Sequence, residues 1–162
     1  FVINSFSKYF GMTGWRLGWL VAPEAAVPEL EKLAQNLFIS MSTMAQYAAL
    51  AAFEPATREI LDQRRAAFAQ RRDFLYPALC ELGFDIPHKP DGAFYLYAGI
   101  DKFNTDSPSL CLKLLEELGV AITPGADFGR HRADQHVRFA YTTGLDRLEE
   151  AVSRLQRASL TQ

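Results

Sequence analysis

The chain has 162 residues, about the size of one domain or a small pair, and is 49% apolar and 22% charged, an ordinary globular composition. Its net charge of -2 gives no electrostatic reason to expect a nucleic acid or an anionic membrane as partner. Cys80 and Cys111 stand far apart without Cys-x-x-Cys spacing and read as reduced, buried thiols of a cytosolic protein, not as a disulfide or metal pair. His88, His131 and His136 lack metal-ligand spacing, so no metal site is expected and each reads as a surface or loop residue. No apolar run approaches the length of a membrane span, and there is no signal-peptide pattern.

In chain order, Phe1-Val2-Ile3 is β-prone, Gly11 and Gly14 permit a tight reversal, and Trp15 to Val21 reads as a second strand. A strand that begins at the first residue, with no methionine and no cap, suggests the C-terminal part of a larger protein. The hairpin carries Ser5-Phe6-Ser7-Lys8 and then Gly11-Met12-Thr13-Gly14-Trp15-Arg16-Leu17-Gly18. Its geometry can return Arg16 to the serines. Burial among aromatic rings disfavours an ammonium and lowers its pKa, the setting in which a lysine amine becomes a nucleophile able to form a Schiff base. A guanidinium near two hydroxyls is a natural phosphate grip. Residue types alone leave a plainer reading open, in which Lys8 and Arg16 snorkel off a surface strand.

Beyond Pro23, Leu30, Leu33, Leu37 and Phe38 recur at helical spacing over about 24 to 39. Thr43 can cap a helix through Gln46, Tyr47, Leu50 and Phe53, whose alanines read as a core-packing face. Thr57 opens a long helix with Leu61, Phe68, Leu75 and Leu82 every seven residues and ion-paired arginines on its other faces. Pro77 should kink it near Tyr76, and Gly83 should stop it. Gly92 to Tyr97 is a strand candidate, Ser107-Pro108 a helix start closed by Gly119, and Val120 to Thr123 a short strand. Pro124 to Gly129 is a loop. Val137 to Thr142 alternates, with Val137, Phe139 and Tyr141 on one face and Arg138 on the other. Thr143 with Asp146 suggests a capping box before a last helix carrying Leu145, Leu148, Val152 and Leu155. The pattern gives an α/β class: a strand pair, a helical connector and a compact α+β unit from about residue 60 onward.

The Ser-Phe-Ser-Lys run with Met-Thr-Gly-Trp-Arg-Leu-Gly resembles the lysine motif of class I/II aminotransferases, pyridoxal-phosphate enzymes of fold type I related to aspartate aminotransferase. Pro90-Asp91-Gly92-Ala93-Phe94-Tyr95, the Pro124-Gly125 to Phe128-Gly129 loop and Val137 to Tyr141 resemble later motifs of that family, in the same order. The resemblance implies a C-terminal portion of the fold. Residues 1–56 would end the large cofactor-binding domain with its final hairpin-like strands and helices, and 57–162 would form the small α+β C-terminal domain.

By the same resemblance, Lys8 carries the Schiff base to pyridoxal 5'-phosphate and moves the proton between the substrate Cα and the cofactor C4′. Ser5, Ser7 and Arg16 bind the phosphate, and Arg138 binds the substrate α-carboxylate by two parallel hydrogen bonds. The activity implied is amino transfer between an α-amino acid and a 2-oxo acid, in a cytoplasmic homodimer. The remaining cofactor contacts of the family lie upstream of the lysine, so the chain alone is expected to be inactive and to hold the cofactor weakly. Rival readings are a β-lyase or synthase using the same lysine, and a non-catalytic association module. Arg130 and Arg132 read as ordinary surface residues.

Overall fold

A computed structural model describes residues 1–158. The chain separates into two compact units, Phe1–Arg65 and the residues from Ala66 onward. It is a mixed α/β chain with two small sheets.

In the first unit, β1 (Val2–Ser5) pairs antiparallel with β2 (Gly18–Val21), Ser5 opposite Gly18. The second strand is shorter than its sequence suggests. Thr13–Trp15 forms a 3₁₀ turn and Arg16 has a left-handed φ of 53°, so extended structure resumes only at Gly18. The α1 helix (Val27–Leu37) forms where expected, yet buries none of its residues, and Leu37 is 76% exposed. Its periodicity set the helix without bringing a covering surface from the described residues.

The next helix, α2 (Thr43–Ala51), has its N-cap one residue before the Thr43 cap expected. Thr43 is already helical, and Ser42 is the N-cap without a side-chain hydrogen bond. Its alanine face is core: Ala45, Ala49 and Ala52 are buried with Phe6, Met12 and Leu17, and Phe10 packs against them. Small side chains let the hairpin end come close to the helix, which is what holds the lysine-bearing loop down.

The long helix α3 (Pro55–Glu81) begins two residues before Thr57 and stays helical through Pro77. Only one hydrogen bond, to the carbonyl of Asp73, is forfeited there, within the last turns. Leu61 and Leu75 are buried, as the seven-residue period requires.

In the second unit, β3 (Tyr95–Gly99), β4 (Thr123–Pro124) and β5 (His136–Ala140) form an antiparallel sheet in the order β3-β5-β4. Two expected strands are trimmed. Residues 92–94 form a bend in which Ala93 takes a φ of 65°, so β3 begins at Tyr95, and of residues 120–123 only Thr123 pairs. Helix α4 (Ser107–Leu118) is capped by Asp106, whose carboxylate accepts from the Ser109 amide at 2.9 Å, and ends at Gly119 with φ 64°. Helix α5 (Leu145–Arg157) is capped by Gly144, not by a Thr143 box. Arg154 ties α5 to α4 by donating to the Leu118 carbonyl at 3.0 Å.

One face of the sheet, the C-terminal part of α3 and helices α4 and α5 share a core that includes Leu79, Leu96, Leu114, Val137, Tyr141 and Leu155. Cys111 is buried and Cys80 half-buried, both as free thiols. His136 stands in β5, half-buried against Tyr97, which corrects its reading as a loop residue. Among the described residues no helix is long and apolar enough to cross a membrane, and no cluster of three or more His, Cys, Asp or Glu could hold a metal ion.

Candidate functional site

The hairpin end of the first unit links Ser5, Ser7 and Arg16 through a relay of hydrogen bonds, with Lys8 next to Ser7 in the same loop. The Ser5 hydroxyl donates to the Ser7 hydroxyl at 2.9 Å, and the Ser7 amide donates to Ser5 Oγ at 3.1 Å. The Thr13 hydroxyl donates to the Ser7 carbonyl at 2.5 Å, and Arg16 Nη1 donates to the Thr13 carbonyl at 2.9 Å. Thr13 therefore joins the serine side of the loop to the arginine side. The motif contained Thr13, but its spacing gave no sign of this bridging role.

Backbone bonds close the same loop: the Phe6 amide donates to the Leu17 carbonyl at 3.0 Å and the Met12 amide to the Phe6 carbonyl at 3.1 Å. A loop with so many internal bonds holds its side chains on a fixed frame.

Lys8 lies between two anchored rings. Phe6 is buried, with its centroid 4.7 Å from Phe10, 5.0 Å from Trp19 and 5.8 Å from Phe53. Phe10 in turn stands 5.6 Å from Phe53. The lysine itself is exposed on this chain. The aromatic residues beside it are thus spent on fixing the loop to α2 and β2, not on burying the amine as the sequence suggested. Tyr9 adds a latch by donating to Asp62 on α3 at 3.0 Å, and that carboxylate pushes the phenol pKa upward.

Arg138 belongs to the second unit. It stands on β5 opposite Tyr97 of β3 and Thr123 of β4, on the sheet face away from Val137 and Phe139. Its Nη2 donates to the Thr123 hydroxyl at 3.3 Å. Phe128 lies 4.5 Å and Tyr95 5.6 Å from the guanidinium carbon, ring centroid to Cζ. Tyr97 stacks on His136, 5.0 Å apart and nearly parallel. The residue alternation of β5 foretold which way Arg138 points; the aromatic company it keeps comes from β3 and from a loop ten residues away, which no local pattern shows. Arg132 is exposed and paired with Asp101 at 3.2 Å, in keeping with a surface role.

The model of the aminotransferase class I and II family matches residues 1–155. The chain belongs to that family. Its curated relatives include the valine–pyruvate aminotransferase of Mycobacterium tuberculosis, 41% identical over 154 residues, and the aspartate aminotransferase of Geobacillus stearothermophilus, 38% identical over 168. These alignments cover 95% and 96% of this chain and 40% of each relative, so the chain spans about 40% of the length of the curated relatives it matches. Among solved structures, an aminotransferase from Mycobacterium tuberculosis superposes with a TM-score of 0.90 at 41% identity, covering 95% of this chain and 40% of that one. The aromatic aminotransferase from Pyrococcus horikoshii gives 0.86 at 34% identity, covering 96% and 41%. The fold expected from the sequence is therefore the fold of this chain.

Proposed function

We propose that this chain supplies the lysine, a phosphate grip and a carboxylate-binding arginine to a pyridoxal-phosphate-dependent aminotransferase, which exchanges an α-amino group with a 2-oxo acid. The observation that carries the reading is the relay from Ser5 through Ser7 and Thr13 to Arg16. A phosphate monoester needs hydroxyl or amide donors and a fixed positive charge in one place, and this loop holds both within a single bonded frame. The donor set suits the cofactor's phosphate. Residues 1–56 are assigned to the end of the cofactor-binding domain and 57–162 to the small domain.

When bound, pyridoxal phosphate supplies the electron sink that lets the substrate Cα–H bond break. The protein's part is orientation and proton handling. Lys8 anchors the cofactor covalently and, once displaced by the incoming amine, carries the proton away from Cα. Its neighbours Phe6 and Phe10 keep the loop from swinging, so the amine acts from a constant position. Arg138 takes the α-carboxylate through its paired Nη donors. Relatives that act on valine and on aspartate share the match, which supports the general exchange and not a particular pair of substrates.

The test is borohydride reduction of the full-length protein with pyridoxal phosphate, followed by peptide mapping. A single adduct on Lys8, absent in Lys8→Ala, is expected, with amino-acid products from a 2-oxo acid. Adduct formation elsewhere overturns the assignment, and ammonia with pyruvate as products replaces transamination with β-elimination. The 162-residue chain by itself is expected to give no turnover and only weak cofactor retention.

A further inference from the structure

We propose that Phe128 and Tyr95 are positioning residues that fix the plane of the Arg138 guanidinium, an inference that rests on the assignment of Arg138 to the substrate carboxylate. A carboxylate can be gripped by two parallel hydrogen bonds only if the guanidinium presents one edge in one plane. A guanidinium on an exposed sheet face rotates about its own side chain unless something holds it.

Hydrogen bonds do little of that holding here. Among the described residues the guanidinium donates to Thr123 Oγ1, at a long 3.3 Å, and its Nε is buried without a hydrogen-bond partner. A buried, unpaired donor is unfavourable, so its retention calls for an offsetting contact. The rings provide it, with Phe128 at 4.5 Å and Tyr95 at 5.6 Å from Cζ, both within cation–π range.

The two rings reach the arginine by different routes. Tyr95 pairs with Ala140, two residues along from Arg138 on the same face of β5, a diagonal neighbour across the strands. Phe128 follows a 3₁₀ turn over Gly125–Asp127, closed by its amide on the Gly125 carbonyl at 2.9 Å. That turn sits so tightly on the sheet end that a Cβ on Gly125 would stand 2.7 Å from the His136 carbonyl. Glycine at this position is what lets the loop lay Phe128 over the arginine.

Side-chain NMR on the ¹⁵N-labelled full-length protein tests the proposal, with Arg138→Lys to assign the signal and pyruvate as the carboxylate probe. Phe128 is half exposed and outside the buried core, so Phe128→Leu keeps the fold, which the backbone amide spectrum verifies. In the unsubstituted chain the Arg138 Nε–H resonance is expected to be ring-shifted and its Nε–Cζ rotation slow. Phe128→Leu should remove the shift and speed rotation by about 2- to 5-fold, with Tyr95→Leu a smaller step in the same direction. Phe128→Tyr, which keeps a ring, should restore the slow rotation. An Arg138 signal without ring shift, or rotation unchanged in Phe128→Leu, overturns the inference. Ring-dependent rotation with no response of Arg138 to pyruvate leaves the rings as positioning residues and instead removes the carboxylate assignment.

Discussion

A methyl group placed on Gly18 would stand 2.6 Å from the carbonyl oxygen of Asn4, well inside van der Waals contact. The two strands of the hairpin meet at this point, at the Ser5–Gly18 pair and two residues after Arg16. Gly18→Ala must therefore push β2 away from β1. A cost of about 1–3 kcal/mol is expected, typical of overpacking against backbone. Because Ser5 and Arg16 lie on opposite sides of the contact, cofactor retention should fall in the full-length protein along with stability. Denaturant unfolding beside a cofactor titration checks both; an unchanged midpoint would show that the strands can part without strain.

Much of this was open to reading from the residues alone, and the limits have physical causes. The seven-residue period of α3, the Gly119 stop and the inward set of Val137, Phe139 and Tyr141 are local consequences of helix and strand geometry, and the structure keeps them. Strand ends were harder. A left-handed residue at Ala93 interrupts an apparently continuous β run, and nothing about alanine announces such a conformation. Caps at Ser42 and Gly144 displaced the threonines that composition favours. In the candidate site, the lysine and arginines are proposed from motif and order. Thr13 as a bridge and Phe128 as a lid on Arg138 depend on contacts that form only after the chain has folded.

The Asp106 cap makes one arm of the stability profile in pH. Hydrogen bonds from the Ser109 amide and hydroxyl hold its carboxyl below the ordinary carboxylate value of 3.8. A depressed folded pKa means that this contribution is complete above pH 3.8 and is lost as the pH falls below it. Asp106→Asn keeps a good cap without a titrating group, so its unfolding midpoint should change less between pH 5 and pH 3 than that of the parent chain. Equal acid sensitivity in the two would remove Asp106 from the account.

Thiol reactivity should separate the two cysteines. Burial, with the charge of Asp127 nearby, pushes the Cys111 thiol up to about 11, whereas Cys80 is only half-buried. At pH 8 a thiol with that value is almost wholly protonated and unreactive. Ellman's reagent should label Cys80 first, and label Cys111 at a comparable rate only in denaturant. Fast labelling of Cys111 in the folded chain, mapped by peptide mass, would contradict its placement in the core.

The register of β5 leaves little latitude to evolution or to engineering. Its odd-numbered side chains fill the interior and the even-numbered Arg138 faces outward, in a strand of five residues between two partners. Inserting a single amino acid ahead of Arg138 would invert that assignment, driving a cation into the hydrocarbon interior and a phenylalanine into water. Length changes are thus forbidden where composition changes are not, and any homologous chain that keeps this chemistry must keep the parity of that segment.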